Sequence, residues 1–333
     1  GYLDEFRISN MARYTGQGLI DSDFPNPSTE FGIQTEGATY GRWDTQVTAN
    51  TTYQRYNYQH RDTEGKYLTL DGSNDYLGLG TNSDLSGFTT FSLCAWVRTT
   101  NLSQDPIIAR GDIDPNSNGN GGNAYFFRIS TSGQLFFAAY DSSHDGARGR
   151  RATTSNVGDG KWHYIVGTCG TLPENNDNYK IYLDGVRVDN DNTGESAGTS
   201  SGTDFRMEDG TGTTYIGAGY VGTTLQEFNG DIGQVAIYNT ELTEQNVKDM
   251  YNLTPSGDWR TSFSTGMVTY LTMGNHLGGV GGTTADTTST IKDRKSSGTA
   301  YDGTGTSISG IYGPDTKLLI HSNTDIDGDT SIV

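Results

Sequence analysis

FSLCAWVRT (Phe91–Thr99) is the most apolar run of the chain. It is short, aromatic and followed by polar residues, and it reads as a strand. Moving outward, runs of the same kind recur: KYLTLDG before it, then YFFRIS, QLFFAAYD, WHYIVGTC, YKIYLDGVRV, TYIGAG and GQVAIYN after it. Each alternates with a period near two. Clusters of turn-forming residues separate them, among them DGSND, NSNGNGGN, VGDGK and PENNDN. Many short strands at such spacing predict an antiparallel sandwich or barrel. One segment has helical spacing. In NTELTEQNVKDMYN, Thr243 is placed to cap a helix with Asn246 at its third position, and Val247, Met250 and Tyr251 share one face.

Composition agrees. The 333 residues include 46 Gly, 20 Tyr and only 7 Pro, and 32% of them are hydrophobic. A sandwich tolerates so low an apolar content because each strand needs only one buried face. The net charge of −18 repels phosphate backbones and anionic membranes at long range, so neither nucleic acid nor membrane is an expected partner. No run approaches the length of a membrane-spanning helix. Cys94 and Cys169 both fall in apolar strand-like runs and read as free buried thiols, with a disulfide across neighbouring strands as the alternative.

Five motifs in order carry a family resemblance. LDGSNDYLGLG (Leu70–Gly80) resembles the opening strand and turn of a laminin-G-like module. FSLCAWVRT resembles its Trp-bearing strand, and DGKWHYIVGT (Asp159–Thr168) its Trp-His strand. KIYLDGVRVD (Lys180–Asp189) resembles the following hairpin, with a type I′-like turn at Asp184-Gly185. FNGDIGQVAIYNTELTEQNVKDMYN (Phe228–Asn252) resembles the closing strand and short helix. The resemblance implies an all-β, antiparallel two-sheet jelly-roll sandwich of the concanavalin A-like type, complete over residues 66–253. Trp96 and Trp162 are expected between its sheets.

The flanks resemble pieces of further units. GYLDEFRI (1–8) aligns with GDIGQVAI (230–237), so residues 1–31 read as the end of a preceding laminin-G-like unit, joined by a connecting segment, 32–65. Residues 254–315 read as a linker or the opening segment of a further unit, and 316–333 as the first strand of a next one. The start at Gly1 reads as processed or cut from a longer chain. The implied arrangement is an excerpt of a tandem array with extended arms.

Catalytic patterns are not apparent. Glycoside hydrolysis on this fold needs two carboxylates facing one another across a groove, and no Glu-x-Asp-x-x-Glu pattern occurs. Nucleophile-elbow, HExxH and phosphate-loop motifs are absent too. His163, beside Trp162, reads as a packing residue. The resemblance implies a structural Ca²⁺ held by Asp71 and Asp75 in the first turn and Asp231 in the closing strand, although Gly233-Gln234 stands where such strands often carry Asp-Glu. Two EF-hand-like stretches, from Asp114 and from Asp325, read as turns. The basic cluster Arg148, Arg150 and Arg151 could grip acidic or sulfated glycans, or lie solvated beside Asp141 and Asp145.

The function expected from these features is non-enzymatic. The end segments resemble bacteriophage structural proteins, which implies a virion-surface fibre, spike or decoration protein, with other copies of itself or other virion proteins as partners. The alternative is an extracellular carbohydrate-binding or adhesin module of a secreted bacterial protein, with cell-surface glycans as partners.

Overall fold

The computed structural model describes residues 65–103, 106–111, 124–140, 147–152, 156–171, 178–189, 207, 212–221, 224–253 and 257–313. The expectations for 1–31, for 32–65 apart from Gly65, and for 316–333 lie outside them, as do residues 114–119 and 325–330 of the two EF-hand-like stretches. Among the described residues two large sheets form. The first runs, in spatial order, β10 (Val186–Arg187), β9 (Tyr179–Leu183), β8 (Trp162–Cys169), β3 (Phe91–Arg98), β14 (Asn229–Tyr238), β1 (Tyr67–Asp71) and β18 (Ile311–Tyr312); β15 (Met267–Leu271) also pairs with β14. The second runs β16 (Thr290–Ile291), β17 (Gly303–Thr306), β2 (Tyr76–Gly78), β11 (Thr214–Ile216), β4 (Pro106–Arg110), β5 (Tyr125–Ile129), β6 (Leu135–Tyr140) and β7 (Ala147–Arg151). A separate hairpin joins β12 (Ala218–Val221) to β13 (Thr224–Glu227). Every named pairing is antiparallel, so the expected two-sheet sandwich is the fold.

Alternation sorts the side chains. Phe91, Leu93, Ala95 and Val97 of β3 point into the core between the sheets, with Ile165 of β8 and Val235 and Ile237 of β14. They meet Leu77, Ile108, Ile216, Phe127 and Phe137 of the second sheet. The layers approach closely at Gly167, where an added Cβ would lie 2.5 Å from the Phe137 ring.

Trp96 and Trp162 depart from expectation. They sit on the other face of the first sheet, in a second apolar cluster with Cys94, Tyr164, Tyr182, Tyr238, Trp259 and Tyr270. Helix α1 (Glu244–Asn252) covers that cluster, contributing Val247 and Met250. Both faces of β3 are buried, so alternation alone cannot say which is inner. The helix starts as its sequence predicts: Thr243 and Asn246 form a reciprocal capping box, which satisfies amides that the first turn leaves unpaired. Cys94 and Cys169 are free and buried. They belong to clusters on opposite faces of the first sheet, so their side chains diverge and no disulfide can close.

The segment 257–313 adds strands to both sheets rather than standing apart as a linker. β15 lies end to end with β1 along one edge of β14: β1 pairs with 229–232 and β15 with 235–238. Between the two pairings the β3–β14 register shifts. There the buried Gln234 accepts from the Tyr270 hydroxyl and donates to the Gly257 carbonyl at 3.1 Å. The Gly-Gln departure from the family pattern thus anchors the added strand. Buried charge locks the rest of the segment. Asp293 accepts the amides of Tyr270, Tyr301 and Lys295 at 3.0–3.1 Å, and the fully buried Arg294 pairs with Asp286. Such groups stay buried because they are paired and hydrogen-bonded. Strands as short as β16, β17 and β18 are not stable alone, so each forms only on an existing edge.

Candidate functional site

Helix α1 and Trp259 cover the outer face of the first sheet. On the second sheet the described residues of β4, β5 and β6 are buried on both faces apart from Arg128, while Tyr76, Gly78 and Tyr215 of β2 and β11 are partly exposed. The composition of this sheet's strands is unusual. The strands β2, β4, β5, β6, β7, β11, β16 and β17 contain no Asp or Glu, yet they carry Arg110, Arg128, Arg148, Arg150 and Arg151. The β12–β13 hairpin packs against this sheet at β4. A Cβ on Gly219 would come within 2.8 Å of the Ala109 Cβ and 3.1 Å of the Pro106 Cβ, so only a bare backbone fits. By strand order, β2 and β11 lie on one side of β4 and β5, β6 and β7 on the other.

On the first side stands a tyrosine cluster. Tyr76 and Tyr215 meet edge to face at 5.4 Å, and Tyr220 of the hairpin meets Tyr215 at 6.0 Å. All three are partly exposed. Tyr215 is flanked in register by the small residues Gly78 and Ala109. Thr304 and Thr306 line the adjoining strand opposite Gly78 and Tyr76. Burial pushes the Tyr215 phenol up; a hydrogen bond with Thr213 opposes this and the Tyr220 and Tyr76 hydroxyls reinforce it, so the phenol stays neutral at physiological pH. The arrangement offers apolar ring faces beside hydroxyl donors and acceptors, the chemistry that a polyhydroxylated ring ligand requires.

On the other side a row crosses three strands: Arg128 of β5 opposite Phe136 of β6, and Phe136 opposite Arg151 of β7. The Arg128 guanidinium lies 5.1 Å from the Phe126 ring centroid and 5.2 Å from that of Phe136, and Arg151 lies 5.3 Å from Phe136. Arg150, grouped with Arg151 in the sequence, pairs with the inward-facing Phe137 and is 3% exposed.

The carboxylates considered for calcium are divided. Asp71 accepts the Ser73 amide at 2.7 Å, and Asp75 accepts the Asp71 amide at 3.1 Å, so both shape the β1–β2 turn. Burial raises the Asp75 pKa; the Asp71 amide opposes this and the Asp71 charge reinforces it. Asp231 is engaged elsewhere: Thr69 Oγ1 donates to it at 2.7 Å and Arg98 Nε at 2.6 Å, while Arg98 lies over Tyr67 and Trp162. Among the described residues no three His, Cys, Asp or Glu side chains group to hold a metal ion.

His163 is a positioning residue for a turn. Its Nδ1 is 2.8 Å from Asp184 and its Nε2 is 3.0 Å from Asp159. Asp184 also accepts the Tyr164 amide at 2.9 Å. Asp184 and Gly185 both have positive φ, 52° and 79°, as the type I′-like reading requires. Burial alone would lower the His163 pKa, but hydrogen bonds and charge from Asp184 and Asp159 outweigh it and raise it. Burial tends to raise Asp159, yet the Lys161 amide, His163 and the Lys161 side chain hold it at about 2.

A laminin-G-type family model, described as the concanavalin A-like lectin/glucanases superfamily, matches residues 71–248. This is more than half of the chain. The protein belongs to that superfamily. Its match spans the strands β2 to β14 that build both the tyrosine cluster and the arginine row. No curated protein matches the sequence. Among solved structures, a putative carbohydrate binding protein from Bacteroides ovatus shares 17% identity at a TM-score of 0.46, over 78% of this chain and 62% of its own. The CBM40 of a Ruminococcus gnavus IT-sialidase, bound to α2,3 sialyllactose, shares 12% identity at 0.38, over 57% and 99%. A heptameric SAP-like pentraxin from Limulus polyphemus shares 14% at 0.37, over 56% and 82%. This chain therefore spans somewhat under two thirds of the length of the first of these.

The sequence did not single out the tyrosine cluster or Arg128. The available signals were the excess of tyrosine and the alternation in YFFRIS and QLFFAAYD. Neither says which alternate residues face outward.

Proposed function

We propose that this chain is a non-catalytic, extracellular carbohydrate-binding module that holds glycans on the outer face of its second sheet. The observation that carries the reading is the partly exposed cluster of Tyr76, Tyr215 and Tyr220 on the β2–β11 side of the second sheet. Membership of a superfamily that includes lectins supports it. So does the strand chemistry: hydrolysis across this face would need a carboxylate pair, and its strands supply none. No described helix is long and apolar enough to cross a membrane. The virion-surface reading rests on a resemblance of the end segments, of which 267–275 and 289–304 lie among the described residues and pair with the two sheets, and the site gives it no separate support.

Glycan-array screening followed by calorimetry tests the proposal. Binding in the micromolar to millimolar range is expected. Tyr215→Ala should weaken it at least about tenfold while the fold persists, since aromatic anchors dominate such sites. Absence of binding to any glycan, or undiminished binding by both Tyr215→Ala and Tyr76→Ala, would remove this reading.

A further inference from the structure

We infer that Asp159, His163 and Asp184 form a proton-operated clasp that joins two turns of the first sheet and opens on one side only. It lies apart from the tyrosine cluster and does not depend on the glycan-binding reading.

The geometry calls for a charged ring. Nδ1 of His163 lies 2.8 Å from Asp184 Oδ2, and Nε2 lies 3.0 Å from Asp159 Oδ1. A neutral imidazole has one N–H and one lone pair, whereas both partners here are acceptors. Only the imidazolium can donate to both at once. The ring therefore bridges the turn before β8 and the turn after β9. Asp159 is held at about 2, so it stays ionised while the ring titrates. The other charges nearby are engaged elsewhere. β3 sets the apolar Val97 opposite His163, and the neighbouring Arg98 is committed to Asp231 and the Trp162 ring. Lys161 bears on the ring through Asp159, whose Oδ2 is 3.2 Å from its Nζ.

Loss of the ring proton does not release both sides alike. The Asp184 carboxylate is fixed from behind: its Oδ1 accepts the Tyr164 amide at 2.9 Å, and its own amide donates to the Tyr164 carbonyl at 2.8 Å. The next residue, Gly185, packs so closely on α1 that an added Cβ would lie 3.1 Å from the Tyr251 ring. Asp159 is the more exposed partner, 32% against 19%. Its turn meets the end of β3 through the bond from the Gly160 N–H to the Thr99 carbonyl at 3.0 Å. The proton thus leaves from Nε2 to solvent, Nδ1 keeps its hydrogen toward Asp184, and the lone pair left on Nε2 repels Asp159. The turn 157–161 parts from the ring while the Asp184-Gly185 reversal stays closed. Burial opposes the charged ring, but Asp184 and then Asp159 outweigh it. The clasp is therefore closed below pH 6.5 and opens as pH rises through the higher value of the folded ring. That turn brings the chain from the second sheet into β8 of the first, so proton concentration sets how firmly the sheets are tied there.

Heteronuclear NMR of the whole chain, titrated from below pH 6.5 to well above it, tests the clasp. Both ring nitrogens of His163 should carry protons at the low end, and Nδ1 alone at the high end. Hydrogen exchange, corrected for its intrinsic rise with pH, is read across the same transition. Protection of the Gly160 and Lys161 amides should fall at least about tenfold, the factor that matches one hydrogen bond to a charged group. The Tyr164, Asp184 and Val188 amides should keep theirs. Asp159→Asn should lower the ring's transition and remove the step at Gly160, because a carboxamide can turn to donate to a bare Nε2; if that variant does not fold, the native titration decides alone. A ring that is singly protonated below pH 6.5 would overturn the clasp, as would unchanged protection at Gly160 and Lys161 through the ring's transition. Loss of protection at Tyr164 and Asp184, with or without Gly160, would overturn the one-sided opening, since the hairpin would then be moving too.

Discussion

Trp96→Ala tests where the first sheet's tryptophan lies. Trp96 is 1% exposed, its ring centroid is 5.3 Å from that of Tyr164 and 5.9 Å from that of Tyr251 on α1. Its Nε1 makes no hydrogen bond, so the loss is one of packing. Large-to-small aromatic deletions in a close-packed site cost about 3–5 kcal/mol. For a domain of this size each kcal/mol lowers the melting temperature by about 2–4 °C, so a fall of roughly 6–20 °C is expected by calorimetry or circular dichroism. Location is read from a double-mutant cycle. Because Trp96 packs on Tyr251 rather than between the sheets, Trp96→Ala and Tyr251→Ala should be non-additive by about 0.5–1.5 kcal/mol, the range for aromatic pairs. Trp96→Ala and Leu77→Ala, whose side chains belong to separate clusters, should add. A melting temperature unchanged by the substitution would refute the reasoning about burial. Coupling to Leu77 instead of Tyr251 would return Trp96 to the inter-sheet core.

Two further outcomes concern titration and metal. His163 has a raised folded pKa, so its contribution is complete below the unfolded value of 6.5 and is lost as pH rises through the folded one. Asp159 is held at about 2, so its contribution is present above the unfolded value of 3.8 and is lost as pH falls toward 2. His163→Gln should cost about 1.5–3 kcal/mol near neutral pH, the worth of a hydrogen bond to a charged group, and should flatten the stability profile above pH 6.5; a profile parallel to that of the native chain would exclude the ion-pair role. Chelator should leave the melting temperature unchanged, because Asp231 is engaged by Arg98 and Thr69 and loss of a bound ion would lower stability by mass action. A clear fall, absent in Asp231→Asn, would place calcium at this carboxylate after all.

By itself the sequence determined the local structure and the class of fold. Period-two alternation, turn clusters and five motifs in order specify antiparallel strands, the Asp184-Gly185 reversal and a capped helix at Thr243, because each depends on residues close in the chain. Only the tertiary structure decided which face of each strand is inside. β3 is buried on both faces, and the sequence carries no mark distinguishing the Phe91 face from the Trp96 face. Only the assembled sheets could show that residues 267–312 complete them, since β15 to β18 are too short to form without an edge to pair with. The candidate site was hidden for the same reason. Tyr76, Tyr215 and Tyr220 are brought together by strand pairing and a folded-back hairpin across nearly half the chain, and Arg128 meets Arg151 only through Phe136 of the strand between them. Register between distant strands is a property of the assembled sheet, set by which faces the whole chain can bury together.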